Sequence, residues 1–188
     1  MLINRKIENS KLAIIIGHDG KSDLGATNEE LNINEFELNK ELADEIGKQC
    51  EDNSIPYIIV YRENGYTQLP YDVNKLNPTE IICVHHNGFL NKSVNGTETL
   101  HWWKSEKSHK LAVEIHKQIT QSNSYTDRGI KPINKNHRGW WILNKTKAPC
   151  ILIEPYFVTN DEAVLNRDAT KTAKAVIKGY LNYKSLAI

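Results

Sequence analysis

Leu12-Ala13-Ile14-Ile15-Ile16-Gly17-His18-Asp19-Gly20 is the stretch whose reading decides the fold of this chain. Five consecutive apolar residues closed by a glycine read as a β-strand buried on both faces. His18 stands where that strand ends. Two later runs have the same form. Glu80-Ile81-Ile82-Cys83-Val84 runs into His85, and Pro149-Cys150-Ile151-Leu152-Ile153 runs into Glu154. Three buried strands thus each deliver one chemically capable side chain at the carboxyl end.

Between and around these strands the pattern changes to a helical period. Asn34 reads as an N-cap with Glu37 as its capping-box partner. The helix they open carries Leu38, Leu42 and Ile46 on one stripe and ends near Cys50. Glu35 is its first residue, where the positive helix end favours an ionised carboxylate. Residues 57–61 read as a strand, and 63–78 as loop with a short helical turn. Residues 97–103 are β-rich and read as an edge strand. A helix over 105–121 places Leu111, Ile115 and Ile119 at i, i+4 and i+8, with His109 and His116 taken as solvated. Residues 21–33 read as loop, 123–138 as a polar connection turning at Gly129, and 140–143 as a strand or a packed loop. A last helix covers 169–182.

Strands alternating with helices imply an α/β fold with a largely parallel sheet. At 188 residues the chain is one domain, 1–188, with no room for a sizeable second one. In such folds ligands sit beyond the carboxyl ends of the strands. His18, His85 and Glu154 share that edge, and Glu35 opens onto it from a helix start.

Composition removes several function classes. With 24 basic and 23 acidic residues the net charge is +1, which gives no case for nucleic acid. No segment is apolar enough to span a bilayer, and Met1 to Lys6 opens no signal peptide, so the expectation is synthesis in the cytoplasm without an export signal. The cysteines Cys50, Cys83 and Cys150 are far apart and odd in number, which argues against a thiolate zinc site and a disulfide framework. Cys83 and Cys150 read as buried thiols.

His18, Glu35 and His85 form a His2Glu set, the donor pattern of a catalytic Zn2+ with one position open. Such an ion acidifies bound water and polarises a carbonyl. Glu154 is the candidate general base that takes the proton and returns it to a leaving amine. Each residue also has a structural reading: His18 as a turn residue, Glu35 as a helix-start carboxylate. His85 and His86 are adjacent and point to opposite faces, so one of the two meets the metal. His101 and His137 are ambiguous. No serine or cysteine sits on a nucleophile elbow, and Gly17 to Gly20 lacks the pattern of a phosphate loop.

Taken in order, the segments resemble the zinc-dependent N-acetylmuramoyl-L-alanine amidases of the amidase-3 type. The residues that carry the resemblance are Gly17-His18-Asp19-Gly20, Glu35 with Asn39, Cys83-Val84-His85-His86-Asn87, Arg128-Gly129, and Glu154-Pro155-Tyr156-Phe157-Val158-Thr159-Asn160. The resemblance implies a twisted, mostly parallel β-sheet flanked by helices on both faces. It implies His18, Glu35 and His85 as metal ligands and Glu154 as the catalytic acid/base. The implied reaction is hydrolysis of the amide between the lactyl group of muramic acid and L-alanine in peptidoglycan. Asp19 in place of a glycine, Cys83 in place of a serine, the added His86 and Pro155 depart from the pattern without removing a ligand.

No separate wall-binding domain is recognisable in the sequence. With no export signal, the combination looks like a phage or prophage endolysin released through a holin, or an autolysin. Trp102, Trp103, Trp140 and Trp141 either line a substrate groove or pack. The alternatives are a non-catalytic peptidoglycan-binding protein on the same scaffold and a zinc peptidase cutting within the stem peptide.

Overall fold

A computed structural model describes residues 11–186, and the amino-terminal stretch read above for a signal peptide lies outside them. The elements in chain order are β1 (Leu12–Ile16), β2 (Thr27–Asn28), β3 (Ile33–Asn34), α1 (Glu35–Asp52), β4 (Tyr57–Val60), α2 (Leu69–Lys75), β5 (Glu80–Val84) and β6 (Thr97–Trp102). Then come α3 (Glu106–Ser122), β7 (Asp127–Ile133), α4 (Trp140–Lys145), β8 (Cys150–Glu154), α5 (Asp161–Leu165) and α6 (Ala169–Ser185). Six strands form one sheet in the order β4-β1-β5-β8-β6-β7, while β2 and β3 pair as a small separate ribbon. β4, β1, β5 and β8 run parallel. β6 runs antiparallel to β8, and β7 runs parallel to β6.

The apolar run at β1 works as its sequence demands. Leu12, Ile14 and Ile16 enter a core with Leu42 and Ile46 of α1, Leu111 and Ile115 of α3, and Val176 and Ile177 of α6. Ala13 and Ile15 face the other way, into a core with Val73 of α2 and Ile142 and Leu143 of α4. All five are fully buried, so helices cover both faces of the sheet. Each such aliphatic side chain stabilises the fold by about 1.5–3 kcal/mol relative to exposure. α1 begins at the expected cap: the Asn34 side chain accepts from the Glu37 backbone N–H, and the Glu37 carboxylate accepts from the Asn34 N–H.

Five local expectations are corrected. β6 is not an edge strand but lies between β8 and β7. The edge on that side is β7, inside the stretch expected to be a polar connection. Its sequence Asp-Arg-Gly-Ile-Lys-Pro-Ile has little alternation and a proline, which a sheet edge tolerates and an interior strand does not. Residues 140–145 form a helix, although Trp, Trp, Ile and Leu favour strands. There packing of Ile142 and Leu143 overrides propensity. His116 is buried rather than solvated, with Nδ1 3.0 Å from Thr99 Oγ1 and Nε2 2.9 Å from Asp127 Oδ1, so both ring nitrogens are satisfied. The 21–33 loop also contains the two short strands β2 and β3.

The topology places the chemistry. The carboxyl ends of β1, β5 and β8 open on one rim, with the amino end of α1 beside them. Because β6 is reversed, its beginning reaches the same rim, and Glu98 pairs in register with Glu154.

Candidate metal centre and active-site cleft

His18 follows β1 at φ +66°, a left-handed conformation that costs a residue with a Cβ about 1–2 kcal/mol. The strain is met by contacts on both ring nitrogens. Nδ1 lies 2.8 Å from Asp23 Oδ1, and Nε2 lies 3.0 Å from Glu35 Oε2. Asp23 is held by Arg62 Nη2 at 2.6 Å. Asp19 shapes the turn by accepting from the backbone N–H groups of Lys21, Ser22 and Asp23 at 2.8, 2.8 and 2.9 Å. The aspartate that replaces a glycine of the family pattern therefore builds the loop that presents Asp23 to His18.

Glu35 is buried and sits between two imidazoles. His85 Nδ1 is 2.8 Å from its Oε1. Its oxygens also accept from the backbone N–H groups of Ala26 at 3.0 Å and His86 at 3.2 Å. Burial alone would push this carboxyl up, but the hydrogen bonds and charge of His18 and His85 hold it well below the usual carboxylate range. For His18, burial works against the charged ring, and Glu35 with Asp23 outweighs it and raises its pKa. Gly25, at φ +73°, allows the loop to close over the centre. A Cβ there would sit 2.5 Å from Glu35 Oε2 and 2.6 Å from the His18 ring.

The donor atoms of His18, Glu35 and His85 lie within 4.8 Å of one another. Two neutral-capable imidazoles and one ionised carboxylate at that spacing fit a zinc ion with ligand distances of about 2.0–2.2 Å. Asp23 behind His18 is the kind of carboxylate that fixes a ligating imidazole.

His86, adjacent to His85, is turned away. It is buried, donates from Nδ1 toward Asn39 Oδ1 at 2.8 Å and packs on Tyr156. Burial lowers its pKa to about 3, so it stays neutral. Asn39, the second residue of the helix motif, also donates to the Gly17 carbonyl at 3.2 Å and so ties α1 to the turn carrying His18.

Glu154 ends β8, the strand beside the one that carries His85. It accepts from Asn87 Nδ2 at 2.8 Å and from the guanidinium of Arg138 on both oxygens. Arg138 also bonds Glu98, which accepts from Arg128 Nε at 3.1 Å and from Asn87 at 2.6 Å. Burial raises the pKa of Glu154 to about 8; Arg138 opposes that rise and Glu98 adds to it. Glu98 shifts the other way, because its bonds to Glu154 and the two arginines outweigh its own burial. The pair therefore places its proton on Glu154.

Both groups of residues line one cleft of about 490 Å³. Its wall includes His18, Glu35, His85, Glu154, Arg62 and Arg138, with Tyr66, Leu69, Leu100, Ile142 and Leu152 supplying apolar surface. None of the four tryptophans is among the described residues that line it. Trp102 and Trp140 pack on the second core, and Trp141 donates to the Thr67 carbonyl at 3.0 Å. Trp103 is 52% exposed and lies by a separate cavity with His101 and His109.

The family model described as N-acetylmuramoyl-L-alanine amidase, of the amidase-3 type, matches residues 12–182. The chain belongs to this amidase family. Among curated proteins, YqiI of Bacillus subtilis (strain 168) is 24% identical over 186 residues, covering 94% of this chain and 86% of that protein. Among solved structures, the N-acetylmuramoyl-L-alanine amidase AmiC2 of Nostoc punctiforme has a TM-score of 0.81 at 21% identity, covering 95% of this chain and 98% of its own. The catalytic domain of the CD27L endolysin, which targets Clostridia difficile, has a TM-score of 0.77 at 23% identity, covering 92% and 97%. These structures share the mostly parallel sheet and the flanking helices of this amidase.

Reading the sequence missed Asp23, Arg62, Glu98 and Arg138. Glu98 carried a faint signal, a lone acid inside a strand-like run of Thr, Leu and Trp. Arg138 and Asp23 sit in polar loops and carried none.

Proposed function

We propose that this amidase is zinc-dependent and hydrolyses the amide joining the lactyl group of muramic acid to L-alanine in peptidoglycan. His18, Glu35 and His85 hold the metal, and Glu154 is the acid/base. The observation that carries the reading is the placement of that His2Glu cluster and of Glu154, with its raised pKa, on the walls of one cleft.

A zinc ion bound there would supply Lewis-acid chemistry, acidifying water and polarising a carbonyl. The residues of the chain do the rest. The apolar side chains Leu69, Leu100, Ile142 and Leu152 shield the amide from bulk water. Asp23 keeps His18 Nδ1 engaged, so its Nε2 is the nitrogen presented to the metal. Glu154 removes a proton from the water that adds to the lactyl carbonyl. When the C–N bond breaks, Glu154 returns that proton to the departing L-alanine nitrogen. The products are a lactyl carboxylic acid and an L-alanine amine, which pass to carboxylate and ammonium as the acid's proton moves to the amine, and Glu154 ends as it began. A carboxyl whose pKa is raised toward neutrality can serve both transfers.

The test is hydrolysis of purified peptidoglycan by the protein as purified, after chelation, and after zinc is restored. New L-alanine amino termini that vanish on chelation and return with zinc support the proposal. Cleavage within the stem peptide, read by mass, would replace it with the peptidase reading. Binding to wall without new amines would replace it with the binding-module reading. Lysis from outside or on release through a holin, as for an endolysin or autolysin, is part of the same proposal, and clearing of intact cells tests it.

A further inference from the structure

Glu154 is gripped by a guanidinium to which the hydrolytic steps above assign no task. Arg138 Nη1 reaches both oxygens of Glu154, and Nη2 reaches Glu98 Oε1. Glu98 is a buried anchor: Arg128 holds its Oε2 at 3.1 Å, and Asn87 holds its Oε1 at 2.6 Å. The same Asn87 amide spends its second N–H on Glu154 Oε2 at 2.8 Å. Arg138 enters this network from the residue before Gly139, whose left-handed φ of +71° turns the chain into α4.

A carboxylate offers about four lone-pair positions, two on each oxygen. Arg138 takes one position on each oxygen of Glu154, and Asn87 takes the second on Oε2. The Glu98 carboxyl adds a further contact to Glu154, so the group is held by Arg138, Asn87 and Glu98 together. We propose that Arg138 is the positioning residue for Glu154: its guanidinium, anchored on Glu98, fixes the carboxyl in the orientation from which it takes and returns the proton. This deepens the reading of Glu154 as acid/base and rests on it. A lysine ammonium in the same place is a point charge without a planar fork, so it would keep the charge and lose the orientation.

The side chain of Arg138 is 47% exposed, so a guanidinium ion from solution can enter the space an alanine leaves. The experiment compares Arg138→Ala, Arg138→Lys and Glu154→Gln in the full chain, on an N-acetylmuramoyl-L-alanyl peptide, with kcat, KM and zinc content measured for each. Misplacing a reacting group by about 1 Å costs up to about 10²-fold, so Arg138→Ala is expected to lower kcat by about 10- to 10²-fold. Its KM and zinc content stay near those of the parent. Millimolar guanidinium restores part of the lost kcat in Arg138→Ala and none in Glu154→Gln, while Arg138→Lys falls between parent and alanine.

Parental kcat in Arg138→Ala beside an inactive Glu154→Gln overturns the proposal and leaves the acid/base reading intact. A fall in kcat that comes with lost zinc or a lowered melting temperature, and that neither guanidinium nor lysine relieves, also overturns it. Near-parental turnover by Glu154→Gln overturns the acid/base reading itself.

Discussion

Glu35 and Glu154 face the same cleft and are equally buried, each 5% exposed, yet their protons behave in opposite ways. Glu35 is driven far toward the ionised form, and Glu154 is driven toward the protonated one. Burial penalises the charge of both. What differs is the company. Glu35 has two imidazoles and two backbone N–H groups, all of which favour a negative charge. Glu154 must share Arg138 with a second carboxylate, Glu98, and two neighbouring carboxylates do not both ionise easily. One rim thus holds a permanent anion fit for a metal and a carboxyl fit to exchange a proton. Burial raises both carboxyls, and the difference comes from the neighbours, which overcome that rise at Glu35 and leave it standing at Glu154.

The comparison can be broken by removing one wall at a time. The largest effect is expected from His85→Ala, which takes away one of three donors. Bound zinc measured by metal analysis should fall well below one equivalent, and amide hydrolysis should drop to background. Glu154→Gln should come next, losing about 10²–10⁴-fold in turnover while zinc stays bound. If Glu154→Gln shed its metal as His85→Ala does, the two walls would not be separate machines.

Two smaller changes sharpen the contrast. Asp23→Asn leaves all three donors and weakens the partner of His18. Changes of that kind cost about 10–100-fold in metal affinity, so a zinc titration against a competing chelator should show that loss. Glu98→Gln removes the like charge that helps raise Glu154. A base works when ionised, so activity rises with pH through the pKa of Glu154. Taking away Glu98 lowers that pKa, and the ascending limb of the pH–rate profile should move to lower pH. An unmoved limb would mean that Glu98 does not set the protonation of Glu154.

Much of the scaffold was legible because it rests on local pattern. The apolar runs at β1, β5 and β8 cannot be solvated, so they fix three inner strands and with them the rim where His18, His85 and Glu154 stand. The Asn34–Glu37 capping box fixes the start of α1 and hence the place of Glu35. Where pattern was weak the reading failed, as at β7 with its glycine and proline, and at α4, where aromatic residues favour a strand and packing forms a helix. His116 looked like a surface residue until Thr99 and Asp127, brought from other elements, took up its two nitrogens.

The sequence by itself therefore determined an α/β chain with two histidines and two carboxylates at one edge, because hydrophobic periodicity and helix capping act over a few neighbouring residues. Tertiary structure alone decided what those carboxylates do. The rule that active groups sit at carboxyl strand ends holds for parallel strands. Reversed β6 instead brings its amino end, and Glu98, to the same rim, in register with Glu154. Arg138 and Asp23 reach the same site from loops whose sequence has no period. Charge interactions depend on distance in space, and the separations that set them, 16 residues between Arg138 and Glu154 and 50 between Glu35 and His85, are closed only by the fold.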